Sequence, residues 1–404
     1  MTVCRSGLIP VIAAVLSSCG PEDVTDRGFT VRDSAGITIV ESLEPAWEEG
    51  EGWQLSPEPI LDIGVVEGDP AYLLDRVGDV ARGPDGRIAV ADGGSEQVRL
   101  YDFEGRFIRA VGGVGDGPGE FRRLSAAFLL PADTIVAFGP FHAAVFDPSG
   151  DVARTMSFEP GAGELPHPPV ALAEGGFALA WERPDYLLLG SPGAPDQILR
   201  TPATVLRYGS DGTLRDTLGV FPGHESAISD GGSRVGAAMF GRRLSVAAHG
   251  EDIFVATGEG YEIQVFGPDG SLHRVFRRIG LDLSLTQANV DSLVREYAQS
   301  VSSDPEEIAA MEQRYKGRPH PDQRAPYSRV LTDSEGCLWV GSYVLSGWPT
   351  DFDVFDPEGR WLGEVTVPEG FVVHEIGDDY VLGVGRDELG VEHVRMYGLT
   401  RTAT

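Results

Sequence analysis

The sequence predicts an all-β fold, a six-bladed β-propeller of four-stranded blades, and three observations predict it. First, a short apolar strand ending in an aromatic residue returns six times along the 404 residues. Second, most of these strands run into a tight polar turn. Third, an orphan strand lies near the N-terminus, where a closing strand is needed.

The repeated phrases are Gln97-Val-Arg-Leu-Tyr-Asp-Phe-Glu-Gly105, Ala143-Ala-Val-Phe-Asp-Pro-Ser-Gly150 and Thr204-Val-Leu-Arg-Tyr-Gly-Ser-Asp-Gly212. They continue with Ile263-Gln-Val-Phe-Gly-Pro-Asp-Gly270, Phe352-Asp-Val-Phe-Asp-Pro-Glu-Gly359 and His393-Val-Arg-Met-Tyr-Gly398. Upstream of each lies a small, apolar run such as Arg87-Ile-Ala-Val-Ala-Asp92 or Cys337-Leu-Trp-Val-Gly341, as a strand buried on both faces requires. Adding one strand before and one after gives blades at about 76–112, 123–158, 168–220, 243–280 and 326–367, with a three-stranded sixth at about 371–398. Ile60-Leu-Asp-Ile-Gly64, or the longer segment from Trp53, is expected to complete the sixth blade.

The stretch Pro84 to Phe107, with the glycine-rich exit Gly112-Gly-Val-Gly-Asp-Gly-Pro-Gly-Glu-Phe121, resembles an NHL repeat. The other blades resemble it in strand cores and turns. The whole chain is similar to bacterial six-bladed propeller lipoproteins. That resemblance implies a ring with a central channel and binding at one face.

The N-terminus predicts an address. Arg5 precedes a short apolar run, Leu8 to Leu16, and Leu16-Ser17-Ser18-Cys19 resembles a lipobox. Residues 1–18 are read as a lipoprotein signal peptide, with Cys19 the acylated residue. Gly20, rather than Asp, points to the outer membrane by enteric sorting rules. Residues 19–50 are expected to form a tether and N-terminal segment, flexible to about residue 35, and 51–400 the propeller. Of three cysteines, Cys4 leaves with the signal and Cys19 takes the lipid, so Cys337 has no disulfide partner.

The formal charge is −30. It excludes phosphate-backbone binding, so no nucleic acid is expected. A monomer is expected, touching the membrane through its anchor only, with a protein, peptide or small-molecule partner.

The insertions fall on one face. Turns within blades are short and formulaic, whereas 159–168, 182–203, 221–242, 281–325 and 342–351 belong to the opposite face, about 110 residues in all. The largest, 281–325, predicts a helical hairpin. Val290, Leu293, Val294, Tyr297 and Val301 keep helical spacing, and Ser303-Asp304-Pro305-Glu306 reads as a capping box.

Four of the eight histidines, His142, His167, His224 and His320, map to this face. Zinc-binding propeller lyases use histidines near the channel, but no pair here has His-x-x-x-His spacing. Gly112 to Gly119 lacks the grammar of a phosphate loop, and Asp92-Gly-Gly-Ser95 the spacing of a calcium loop. There is no Gly-x-Ser-x-Gly elbow. A basic patch, Arg314, Lys316, Arg318, Arg324 and Arg329, ends the helical insertion with Tyr315 and Tyr327.

The expected function is a lipid-anchored envelope protein that binds a ligand or partner through its loop-rich face without catalysis. The candidate face is His142, His167, His224, Arg318, His320, Arg324 and Tyr327. No cofactor is required. The alternative is a metal-dependent lyase or hydrolase, with zinc or calcium at the channel mouth. Several His, Asp or Glu side chains converging there would favour the alternative, and an apolar, aromatic surface the binder.

Overall fold

The computed structural model describes residues 24–26, 28–48, 50–159, 161, 163–183, 195–345 and 347–401. The signal segment and Cys19 lie outside them. Among the described residues the fold is all-β, with six sheets and two α-helices.

The sheets follow one another along the chain. The first orders Val77–Arg82, Ile88–Asp92, Gln97–Tyr101 and Phe107–Gly112, all antiparallel. The second runs from Ala126–Leu130 through Thr134–Phe138 and His142–Phe146 to Val152–Ser157. The fifth repeats the plan from Tyr327–Thr332 to Trp361–Thr366. The second strand of each sheet is almost wholly buried because neighbouring sheets cover both of its faces, as in Ile88–Asp92, buried at every residue.

The repeated aromatic has a structural reason. Register shifts fall at Leu100/Tyr101, Val145/Phe146, Val265/Phe266 and Val354/Phe355, where the third strand meets the fourth. Each shift is a bulge that twists the strand out of the ladder and into its turn. The turn is then tied by the next residue. Asp102 Oδ1 accepts from the amides of Glu104 and Arg106, and Gly105 takes the φ of +79° that closes the corner.

Six hydrophobic clusters lie between successive sheets. They join sheets one and two, two and three, three and four, four and five, and five and six. The sixth joins sheet six to sheet one through Val80, Tyr101, Tyr380 and Leu382, with Ile63 among them. Leu61–Ile63 pairs antiparallel with Glu392–Thr400, and Gln54–Leu55 pairs further along the same strand.

Three features differ from expectation. The N-terminal segment is not a tether from residue 24 onward. Phe29–Ser34 and Ile37–Ser42 form a hairpin, and the second strand pairs in parallel with Leu272–Arg278 on the outer edge of sheet four. Its β-branched run Ile37-Thr-Ile-Val buries Ile39 and Val40 and covers an otherwise open edge.

In the third sheet, Gln197–Tyr208 and Leu214–Ser229 form one long hairpin, absorbing residues expected in loops. The helical insertion is present as α1 (Gln287–Val301) and α2 (Pro305–Tyr315), but its caps differ. Asp304, not Ser303, caps α2, with Pro305 at the first helical position. The capping box belongs instead to α1, where Thr286 and Asn289, the chain's single asparagine, bond reciprocally. Val290 and Val294 pack on Phe240, with Tyr343 and Leu345 beside it, so this pair is seated on segments that connect strands, whereas Val301 stays exposed.

Candidate functional site

The innermost strands surround a cavity of ≈ 570 Å³, lined by residues from all six sheets. At the third sheet its wall carries His167 and His224. Three segments bring these imidazoles together. Leu165–Pro166 and Val170–Ala171 flank His167, whose amide donates to the Ala180 carbonyl (2.8 Å). Glu182 ends the neighbouring strand Phe177–Glu182. His224 lies in the long second strand of the hairpin.

The hairpin ladder opens at this point. Its register jumps between Arg200, opposite Glu225, and Pro202, opposite Pro222. Thr201, Gly223 and His224 are thereby left out of the pairing, and the Glu182 carboxylate fills the opening. Oε1 accepts from the Thr201 hydroxyl (2.7 Å) and the His224 amide (2.6 Å). Oε2 accepts from His167 Nε2 (2.8 Å) and His224 Nδ1 (2.7 Å). Gly223 is required for the approach, since a Cβ there would lie 2.6 Å from the Thr201 carbonyl oxygen and collide with the carboxylate.

Glu182 is buried, with 8% of its side chain exposed, while His224 is 32% exposed toward the opening. Burial alone would raise the carboxyl's pKa. The donors from His167 and His224 outweigh it and hold the group far below the usual carboxylate range. The imidazoles pack edge to face, with ring centres 5.0 Å apart. The hairpin is braced from behind by Arg200, which donates to the Gly223 carbonyl (2.9 Å), and by Arg242, which grips the buried Glu225.

One donor atom from each of His167, Glu182 and His224 falls within 4.8 Å of the other two. Two imidazoles and a carboxylate are a ligand set for zinc or another divalent transition ion, and a poor one for calcium, which prefers all-oxygen shells. Tetrahedral bonds of about 2.1 Å separate donor atoms by about 3.4 Å. The side chains would therefore spread by roughly half an ångström and give up the ring protons aimed at Glu182.

The other expected residues lie elsewhere. His142 stacks on Phe121 (5.0 Å) and bonds the Glu120 carbonyl (3.0 Å). His320 bonds the adjacent Pro321 carbonyl (2.9 Å). Arg318 sits over Tyr315 (5.2 Å), and the Arg324 amide donates to Leu283 (2.9 Å). Tyr327 is buried at the seam of sheets four and five, donating to the Glu262 carbonyl (2.9 Å) and accepting from the Gly258 amide (3.0 Å). Cys337 is buried, which pushes its thiol up to about 12.

Glu182 escaped the sequence reading. Its only signal is an acid directly after the buried Trp181, at the end of an inner strand facing the insertions.

No protein family matches the chain, and no curated protein matches its sequence. Solved structures do resemble it. A Bacteroides fragilis protein assigned as exported is 13% identical, over 90% of this chain and 100% of its own, with a TM-score of 0.50. A member of the duf4221 family from Bacteroides vulgatus is 10% identical, over 87% and 99%, with a TM-score of 0.51. A streptogramin B lyase, 9% identical over 89% and 100%, has a TM-score of 0.40. At these identities the likeness concerns the fold alone, and the lyase adds nothing to it. The fold is all-β and propeller-like.

Proposed function

We propose that this chain is a six-bladed propeller of the cell envelope, anchored through Cys19, that holds a divalent transition ion at its channel mouth for metal-dependent lyase or hydrolase chemistry. The convergence of His167, Glu182 and His224 carries the reading. These positions are far apart in sequence, and their donor atoms meet at the wall of a cavity large enough for a small ligand.

Closure into a ring is supported by the six clusters, the last of which joins sheet six to sheet one, and by the pairing of Leu61–Ile63 with the C-terminal strand. The envelope location is supported by the lipobox-like Leu16-Ser17-Ser18-Cys19. Similarity in fold to an exported protein agrees with it. No helix among the described residues is long and apolar enough to cross a membrane.

Three protein ligands with a side open to the cavity suit catalysis, where water or substrate takes the fourth position. A bound ion would act as a Lewis acid there. The chain's own part is orientation. Thr201 and the His224 amide fix one oxygen of Glu182, leaving the other for the ligand position. The cavity also has apolar lining, including Phe128, Leu129 and Val246, which suits the non-catalytic binder as second reading.

Elemental analysis of the chain purified without chelators tests this directly. The expected result is one zinc or similar ion per chain, lost in Glu182→Gln and His167→Gln. Metal-free protein, or metal retained in both variants, returns the binding reading to first place.

A further inference from the structure

We propose that Arg329 and Arg243, with Trp348, form a binding station at the rim of the cavity for the carboxylate or phosphate group of a small organic anion. This rests on observations separate from the His167–Glu182–His224 cluster.

Three inner strands carry a bulge at the same level, between Val77 and Asp79, Tyr327 and Arg329, and Val373 and Glu375. Bulges re-aim side chains and collect beside functional sites. The residues at these three bulges, among them Asp79, Arg329, His374 and Glu375, line the cavity.

All but one of these charged groups are paired. Asp79 bonds His374 (3.1 Å), and Glu375 accepts from the Arg82 amide (2.8 Å) and the Tyr380 hydroxyl. Arg82 lies over the Tyr380 ring (4.5 Å). The Arg329 guanidinium has no hydrogen bond or ion pair among the described residues. It lies over the ring of Trp348 (5.2 Å) and feels Asp79 only at a distance.

A guanidinium donates five hydrogen bonds in a fixed fork; that of Arg329 is partly buried and opens on the cavity, where its donors are left to solvent or to a bound anion. Burial is the main cause lowering its pKa, to about 10. Asp79 and Glu375 line the same cavity, but neither forms an ion pair with Arg329.

Arg243, an exposed residue at the rim of the same cavity, also has no ion pair among the described residues. Two unpaired guanidiniums in a cavity partly walled by Leu129, Val246 and Leu331 suit an oxyanion carrying an apolar body.

The test uses the purified protein in excess chelator, so that loss of the metal site cannot affect the outcome. Benzoate and phenyl phosphate are titrated by calorimetry, with inorganic phosphate as competitor. Saturable uptake of at least one is expected, with benzoate and phenyl phosphate separating carboxylate from phosphate recognition. Arg329→Met is expected to weaken it at least about 10-fold, the loss of a bidentate charged contact.

Without ligand, Arg329→Met is also expected to raise Tm by about 1–3 °C, because it removes an uncompensated cation from the channel. Failure of both probes to bind, or equal binding by the variant, overturns the proposal. So does a lowered Tm, which would mark Arg329 as a structural residue.

Discussion

Two partly or wholly buried glutamates, Glu375 lining the cavity and Glu182 behind its His167 and His224, have opposite fates. Glu182, at the third sheet, is held far below the usual carboxylate range. Glu375, at the seam of the sixth and first sheets, is pushed up to about 7. Burial raises both, so burial does not decide between them. Glu182 receives two imidazole donors, a hydroxyl and an amide. Glu375 receives one phenolic hydroxyl and one amide, and Asp79 nearby adds repulsion. The number and basicity of the donors set which carboxylate stays ionised, and therefore which one can serve as a cation ligand.

The largest break in this comparison is Glu182→Gln. The amide keeps the shape but turns an N–H toward groups that donate. Loss of about 2–4 kcal/mol is expected from leaving buried donors unmatched, read as a lower urea midpoint. An unchanged midpoint would mean that the opened ladder is held by other contacts.

Glu375→Gln tests the opposite case. Its folded pKa lies above the unfolded value, so the folded state keeps a proton that the unfolded state has released. That stabilisation is complete below about pH 4.5 and is lost as pH rises to about 7. Allowing for solvent access through the channel, the contribution is about 1–3 kcal/mol. Urea unfolding at pH 5 and pH 8 should show this slope in the parent and a flatter one in the variant. The reverse slope would mean that Glu375 is paired as Glu182 is.

Thr201→Val removes a single donor from Glu182 and should cost about 1 kcal/mol, with divalent-ion uptake weakened rather than abolished. The smallest effect belongs to Tyr380→Phe. Without its hydroxyl donor, Glu375 should titrate higher still, moving the pH window of the stability slope upward with little change at pH 5. A window moving downward would contradict the assignment of that hydrogen bond.

Much of the architecture could be read from the chain because it is local. The aromatic that ends five of the six repeats sits at a bulge, and the Asp or Gly that follows begins the turn, so a few adjacent residues encode the corner. The N-terminal strand that pairs with Glu392–Thr400 was legible as an orphan, and the helical insertion by its periodicity.

The hairpin at 29–42 was not legible. Its polar start resembles a tether, and only the exposed edge of sheet four gives Ile39 and Val40 somewhere to be buried. The basic patch was visible as a cluster of arginines. Nothing in its spacing separates Arg329, turned by a bulge into the channel, from Arg318, which lies over Tyr315.

The sequence by itself determined most of the strands, their turns and the repeat, because each depends on neighbours within a few residues. The site was decided by the tertiary structure. His167 and His224 stand 15 and 42 positions from Glu182, on separate segments, and no spacing rule joins them. They meet because the ladder of one long hairpin opens beside a glycine, and a buried carboxylate from the next strand enters the gap to satisfy the donors left there.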